Sequence, residues 1–456
     1  MAGALRQLLH PQYSSTIFAG GNLQVLGYPL FRVPESAPIS LPQRPARQSP
    51  RATLAGLSLR PVRRLYIHVP FCFHKCHYCD FYSLVDTRDR QGPFIRRLTN
   101  ELSALASLAG PVKSIFVGGG TPSLLAPTLW QDLLRALGER FDLGEIRAGR
   151  GEFTVECNPE TVTPELMDTL AAGGVNRVSV GAQSFNPAHL KTLERWHDPA
   201  NVGRAIEMAR AAGIRRQSVD LIYAIPGQTL AEWRDDLRQA LALGTEHVSA
   251  YALTYEPGTA MTARLARDEF ERADEDVEAD MFEETLRVLR GAGLDRYEVS
   301  NFARAGAECD HNLGYWRHED WLAAGPAASA HVGGARWKNA PRLDDYLDFS
   351  DEGFAPVVDL ETPDPKRALI EAIMTGLRLR EGVDLSRVRE RAEELRPGAG
   401  ERLLAKAQSL AGEGLLVFAH NEAAHALERV GYVSLTDRGF LVADGVIRRL
   451  VGVLGV

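Results

Sequence analysis

Cys72, Cys76 and Cys79 form a C-x3-C-x2-C triplet in the run FCFHKCHYCDF, directly behind the apolar residues 65–70. With five cysteines in 456 residues, a given cysteine finds partners at both +4 and +7 by chance about once in eight thousand. Soft thiolates select zinc, copper(I) or iron–sulfur clusters. A structural zinc site wants four protein ligands, and most cubane clusters also take four cysteines. Three thiolates in one tight loop can hold three irons of a cubane and leave the fourth open. An open iron is useful only if something else binds there. Two other readings compete: a zinc loop completed by His68, His74 or His77, and three reduced buried thiols.

Other residues with chemistry to offer follow at intervals. Gly118, Gly119, Gly120 and Thr121 sit directly behind a second apolar segment. Glycines there let the backbone approach a ligand and present N–H groups to it. The G-x-G-x-x-G spacing of a dinucleotide fingerprint is missing. Glu156, Gln183 and Asp220 fall near the ends of three later apolar segments. Taken singly, each reads as a helix cap or a surface group. Taken with the cysteine loop, they read as hydrogen-bonding groups for hydroxyls or an amine. Arg195 suits a carboxylate.

The elements that must position these residues alternate from residue 65 onward. Short apolar strands are expected at 65–69, 114–117, 153–157, 177–181, 218–223 and 247–253. Amphipathic helices are expected at 94–108, 129–140, 164–172, 200–212 and 230–243, with Leu98, Leu102, Leu105 and Leu108 on one face of the first. Thr163 is placed to cap the third. Six β-then-α units imply parallel strands with right-handed crossovers. The fold class is therefore α/β, a partial parallel (β/α)6 TIM-like barrel. The candidate residues all fall just after strand C-termini, where barrels and open α/β sheets place their sites.

After Pro257 the pattern changes. A long charged helix is expected over 274–293, a further strand over 296–302, and a Gly- and Trp-rich segment over 311–337. From about Pro365 the chain turns helical, and a strand-turn pattern at 431–439 precedes a last helix. This reads as a smaller helical C-terminal domain of winged-helix type. The expected division is 1–60 leader, 61–260 barrel core, 261–360 extension and 361–456 helical domain.

Composition narrows the class. Hydrophobic residues make up 45% of the chain, enough for a substantial core, and the net charge is −7. Mixed charge with an acidic balance argues against a nucleic-acid partner. No run of about twenty apolar residues is present, so no transmembrane segment is expected. Sparse, clustered cysteines are not a disulfide framework, and metal-binding thiols need a reducing compartment, which points to the cytoplasm. Residues 1–60 are rich in Pro and Arg, with Glu35 as their one acidic residue. They read as a disordered leader, with a transit peptide or a misplaced start codon as alternatives.

The motifs together resemble the radical S-adenosylmethionine superfamily. The triplet with Tyr78 inside it matches that superfamily's cluster loop. The runs 118–122 (GGGTP), 156–159 (ECNP), 179–185 (SVGAQSF) and 220–223 (DLIY) narrow the resemblance. They are similar to the branch that holds oxygen-independent coproporphyrinogen III dehydrogenases and heme chaperones of the HemW type. The dehydrogenases typically carry a fourth cysteine two residues after the third. Here that place is Phe81, as in the chaperones. The H-N-x-x-Y-W motif of the chaperone group is matched in full by residues 311–316 (HNLGYW).

The resemblance implies a [4Fe–4S] cluster on Cys72, Cys76 and Cys79. It implies S-adenosylmethionine on Tyr66, Tyr78, Gly119, Gly120, Thr121, Glu156, Gln183, Arg195 and Asp220. It further implies heme at His311, Asn312, Tyr315 and Trp316, where an imidazole can ligate iron and aromatic faces can hold a porphyrin. His318, His331 and Tyr315 are rival axial ligands, and Cys309 is a further candidate or a buried thiol. Cys157 is expected to point away from Glu156 on an alternating strand and is not assigned as a ligand. The implied partners are an electron donor for the cluster and a heme-accepting protein, which can itself be membrane-associated. The alternative function is the decarboxylating dehydrogenase.

Overall fold

The computed structural model describes residues 48–418 and 431–455. Six strands run in sequence: β1 (Val62–Val69), β2 (Ala109–Gly119), β3 (Glu152–Cys157), β4 (Arg177–Gln183), β5 (Arg216–Tyr223) and β6 (His247–Ala252). Each pairs in parallel with the next. All residues of β1 except Arg63 are buried, as expected of parallel strands covered on both faces. The crossovers are helices that bury one stripe each. α1 (Gln91–Ala106) buries Phe94, Leu98, Leu102 and Leu105. α2 (Pro127–Arg140), α3 (Pro164–Ala172), α4 (Ala200–Ala211) and α5 (Leu230–Ala242) repeat the pattern. Thr163 caps α3 through Leu166 N–H, and Thr229 with Glu232 forms a capping box on α5.

The parallel register puts the strand ends level. Val69 lies opposite Gly119, Glu156 opposite Ser179, Gly181 opposite Asp220, and Asp220 opposite Ser249. Every sequence-singled residue on these strands therefore reaches the same edge of the sheet.

The sheet has nine strands, not six. Beyond the long helix α6 (Glu275–Gly291) come β7 (Asp295–Arg296) and β8 (Asn301–Ala303), antiparallel to one another, with β8 antiparallel to β6. The single strand expected over 296–302 is thus two short strands around a turn. At the other edge β9 (Leu322–Ala324) pairs in parallel with β1. The spatial order is β7-β8-β6-β5-β4-β3-β2-β1-β9. Between these additions sits α7 (Asp310–Trp316). The Gly- and Trp-rich stretch continues into an antiparallel sheet of β10 (Ser329–Val332), β11 (Ala335–Asn339) and β12 (Val357–Glu361).

One apolar core extends from Leu54 to Val357 and a second from Leu369 to Leu454. The second gathers α8 (Pro365–Gly376), α9 (Leu385–Leu395), α10 (Ala399–Gly412) and α11 (Ala443–Val451). Beside them lies a small sheet, in the order β13 (Val383–Asp384), β15 (Tyr432–Leu435), β14 (Leu416–Phe418). Helices and a small antiparallel sheet make up this second core. Of the expected leader, residues 1–47 lie outside the described residues. Residues from 48 onward pack on the fold, with Leu54 in the core and Gln48 O accepting from Val357 N–H at 2.8 Å.

Candidate functional site

The loop behind β1 is closed on itself. Cys72 N–H donates to Leu84 O at 2.9 Å, and Leu84 N–H donates to Pro70 O at 2.8 Å. Inside the loop, Cys79 N–H donates to Cys76 O at 3.2 Å, the turn that folds the C-x2-C pair. The outer side is fixed by His77, whose N–H donates to Leu193 O and whose carbonyl accepts from Met261 N–H. Cys72, Cys76 and Cys79 are free and half-buried, and they line one cavity of about 330 Å³. Thr121 Oγ1 donates to Cys72 Sγ at 3.5 Å, and Arg195 Nη1 to Cys76 Sγ at 3.8 Å. Burial, with Cys76 and Cys72 adding, pushes the Cys79 thiol up to about 12. Burial raises Cys72 too. Thiolates gathered in this way need positive charge among them.

A single-ion zinc site does not fit this donor set. Among the described residues no three His, Cys, Asp or Glu side chains converge on one ion. Of the histidines proposed to complete such a site, His68 and His77 are engaged outside the cavity, and His74 lines it. His68 bonds Tyr66 OH and Tyr82 O, His74 stacks on Trp196 at 4.3 Å, and His77 Nδ1 meets Arg264 Nη1. Three thiols on one cavity suit a cluster, which shares its ligands among several irons.

The glycine turn is shaped by what it must pass. Gly119 has φ +104°, and a Cβ there would lie 2.4 Å from the His68 ring. A Cβ on Gly120 would lie 2.6 Å from Phe71 O. The turn can therefore wrap the root of the cysteine loop, with Gly120 N–H on Val69 O and Thr121 N–H on Phe71 O, both 2.7 Å. It also carries Gly119 N–H to Glu156 Oε2 at 3.1 Å.

Glu156 and Asp220 are half-buried near the C-terminal ends of β3 and β5. Burial, with Asp220 adding, pushes the Glu156 carboxyl up to about 8, against the pull of Gly119 N–H. Burial also raises Asp220, which Ser249 and Ser179 hold down. Ser179 Oγ donates to both Asp220 oxygens at 2.9 and 3.0 Å. At the end of β4 the register slips between Gly181 and Gln183, a one-residue bulge. Gln183, at φ +63°, is thereby turned into the cavity. Arg195 Nη2 donates to Gly181 O at 2.9 Å, while its buried Nε has no partner. Two half-buried carboxylates sharing a cavity with a guanidinium that has an unused N–H suit a ligand that carries donors, positive charge and one acceptor group. Tyr66, Tyr78, Gly119, Gly120 and Thr121 line the same cavity.

Comparison with known proteins fits this geometry. Residues 66–240 match the family model described as "Radical SAM superfamily". The chain is 37% identical over 416 residues to the heme chaperone HemW of Mycobacterium tuberculosis, covering 89% of this chain and 99% of that one. It is 39% identical over 275 residues to the Escherichia coli heme chaperone HemW, covering 60% of this chain and 71% of that one. The chain belongs to the HemW family of radical SAM proteins. Its fold is that of the E. coli coproporphyrinogen III oxidase HemN, described as a radical SAM enzyme, with a TM-score of 0.72 at 22% identity over 89% and 93% of the two chains. Membership of the radical SAM superfamily implies a [4Fe–4S] cluster and S-adenosylmethionine, and the three cavity-lining thiols and the unused Arg195 Nε fit them.

In this HemW-family chain, α7 carries the H-N-x-x-Y-W residues. Asn312, Tyr315 and Trp316 line the cavity that the cysteine loop opens on, and His311 does not. Its imidazole is fully buried, with Nδ1 on Ser114 Oγ at 2.8 Å and Nε2 on Tyr315 OH at 2.7 Å. Gly314 passes so close to Arg64 that a Cβ would overlap the guanidinium. Arg64 in turn donates to Asp310 Oδ2 at 2.7 Å and pins α7 to β1. His318 Nε2 bonds Glu371 Oε2 at 3.0 Å, and His331 Nδ1 faces Asp320 Oδ1 at 3.4 Å. Neither lines the cavity. Cys309 is buried against Glu152 Oε1 at 3.2 Å. Cys157 reaches the cavity lining, with its thiol on Val155 O at 3.8 Å.

Sequence reasoning missed several residues of the cavity wall: Phe116, Ser179, Tyr251, Glu298 and Asn301. Ser179 opens the 179–185 motif and could have been found there. Glu298 and Asn301 carry no local signal. They arrive through the antiparallel return of β7 and β8.

Proposed function

We propose that this chain is a heme chaperone, binding a [4Fe–4S] cluster, S-adenosylmethionine and heme and delivering heme to an acceptor protein. The observation that carries this reading is the single cavity onto which the cysteine loop and Asn312, Tyr315 and Trp316 all open. Cys72, Cys76 and Cys79 hold the cluster. Tyr66, Tyr78, Gly119, Gly120, Thr121, Glu156, Gln183, Arg195 and Asp220 hold S-adenosylmethionine, with Arg195 on its carboxylate and Glu156 and Asp220 on its hydroxyl or ammonium donors. With its cluster, S-adenosylmethionine supplies one-electron chemistry when bound. Tyr315 and Trp316 offer the porphyrin flat apolar faces. The curated relatives are named heme chaperones, which supports the same reading. The reading needs two partners, an electron donor and a heme acceptor. Among the described residues no helix is long and apolar enough to cross a membrane.

The test is anaerobic titration of the reconstituted chain with heme, followed by mixing with an apo heme protein. Saturable binding and transfer to the apo protein are expected. A parent chain that binds no heme removes the assignment. The dehydrogenase alternative predicts turnover of coproporphyrinogen III to protoporphyrinogen IX. The cavity-lining Phe81, in place of a fourth cysteine, favours no turnover.

A further inference from the structure

We infer that His311 is not an iron ligand. It is a positioning residue that fixes Tyr315 as part of the S-adenosylmethionine cavity wall. This rests on the cofactor reading above and changes what the H-N-x-x-Y-W motif does within it.

A neutral imidazole has one N–H and one lone pair. Both nitrogens of His311 are used in either tautomer, Nδ1 by Ser114 Oγ at 2.8 Å and Nε2 by Tyr315 OH at 2.7 Å. Ser114 Oγ is held in place by Arg64 Nη1, which donates to it at 3.0 Å. The ring lies against Phe116 at 5.5 Å and edge-on to Tyr315 at 4.7 Å. No part of it lines the cavity, whereas Tyr315 does. Coordinating a metal would require breaking one of two buried hydrogen bonds and turning the ring out of a packed stack. Holding Tyr315 requires nothing to move. The chain Arg64–Ser114–His311–Tyr315 thus runs from the buried end of β1, through β2, to the cavity. Tyr315 shares that cavity with Glu156 and Asp220, so the wall His311 supports also bounds the S-adenosylmethionine site.

The experiment uses the full-length, anaerobically reconstituted chain and its His311→Gln, His311→Ala and Tyr315→Phe variants. S-adenosylmethionine is titrated while the paramagnetic resonance of the reduced cluster is followed. Heme is titrated separately while its absorption and ferric resonance spectra are followed. Losing the support should raise the half-saturating S-adenosylmethionine concentration about fivefold to tenfold in His311→Ala and Tyr315→Phe, the scale of one buried hydrogen bond. His311→Gln, whose amide can still reach Tyr315 OH, should recover most of that loss. The heme spectra of His311→Gln should keep the parent's axial signature. An altered axial signature in His311→Gln overturns the inference. So does an unmoved S-adenosylmethionine midpoint in both His311→Ala and Tyr315→Phe. If the parent binds no heme, the chaperone reading falls and the S-adenosylmethionine series decides the role of His311. If the cluster ignores S-adenosylmethionine in the parent, the cofactor reading falls and the heme spectra decide it.

Discussion

Replacing Glu156 by Gln should make the ligand-free chain more stable and its ligand binding weaker. The carboxyl is half-buried at the end of β3, and its desolvation with the nearby Asp220 moves it from 4.5 to about 8. A carboxyl with a raised folded value holds its proton more tightly folded than unfolded. Its contribution is therefore greatest below about 4.5 and is given up as pH climbs toward 8. Linkage puts the cost of that mismatch at about 1 kcal/mol at pH 5 and about 3 kcal/mol at pH 7. Gln carries no such cost, and its amide oxygen can still accept from Gly119 N–H, as Glu156 Oε2 does at 3.1 Å. With roughly 300 residues unfolding around the main core, 3 kcal/mol corresponds to about 5 °C in Tm.

The assay is thermal unfolding of parent and variant, prepared anaerobically without S-adenosylmethionine, at pH 5 and pH 7. The variant should exceed the parent by about 1 °C at pH 5 and about 5 °C at pH 7. The same variant should bind S-adenosylmethionine about 10-fold to 100-fold more weakly, the scale of one lost charge-assisted hydrogen bond. A gain in stability joined to a loss in binding marks a group kept for function at the fold's expense. A variant less stable than the parent at pH 7, or a difference that does not grow with pH, would refute the reasoning.

Three further outcomes follow from the geometry. Cys72→Ala, Cys76→Ala and Cys79→Ala should each lose bound iron and acid-labile sulfide, while Cys309→Ser should keep both; full iron content in any of the first three removes that ligand. Gly119→Ala should cost about 2–4 kcal/mol, combining a positive φ with a Cβ set 2.4 Å from the His68 ring; urea unfolding with an unchanged midpoint would contradict it. Arg195→Lys keeps the charge but discards the unused Nε donor, so S-adenosylmethionine affinity should fall about tenfold with Tm nearly unchanged; equal affinity in the two proteins would remove the carboxylate role of Arg195.

The barrel half of the fold was legible because its local and global signals agree. β1 to β6 are runs such as Leu65-Tyr66-Ile67, buried on both faces, and their helices show leucines at helical spacing. Parallel pairing of successive strands then fixes which ends meet, so the sequence alone gathers Glu156, Gln183 and Asp220 at one edge. The sheet edges were not legible. β9 is three residues, Leu-Ala-Ala, with no β-branched side chain, and it becomes a strand only because β1 offers it an edge. In sequence β7 and β8 look like one strand, because Tyr297 and Val299 keep the apolar alternation going through what is a turn. The cysteine loop was readable from spacing, since its chemistry is local. The direction of His311 was not, because α7 turns it toward Ser114, a residue of β2 nearly two hundred positions earlier.

The charge distribution explains why such a cavity asks to be filled. Glu156, Asp220 and Glu298 line it beside three thiols, and the Arg195 guanidinium answers the thiols of Cys76 and Cys72. Burial holds Glu156 up at about 8 and Glu298 up at about 7, so without an occupant these groups keep protons they would shed in water. Pairing or neutralisation are the two ways a buried charge is tolerated. An occupant that brings positive charge converts the second into the first. The irons would answer the thiols and a sulfonium or ammonium the carboxylates, each releasing protons the empty fold must hold. The seryl and backbone donors around Asp220 and Glu156 already point at the ionised form. The site is thus built for its charged, occupied state, and the stability it forgoes when empty sets part of the affinity it gains when full.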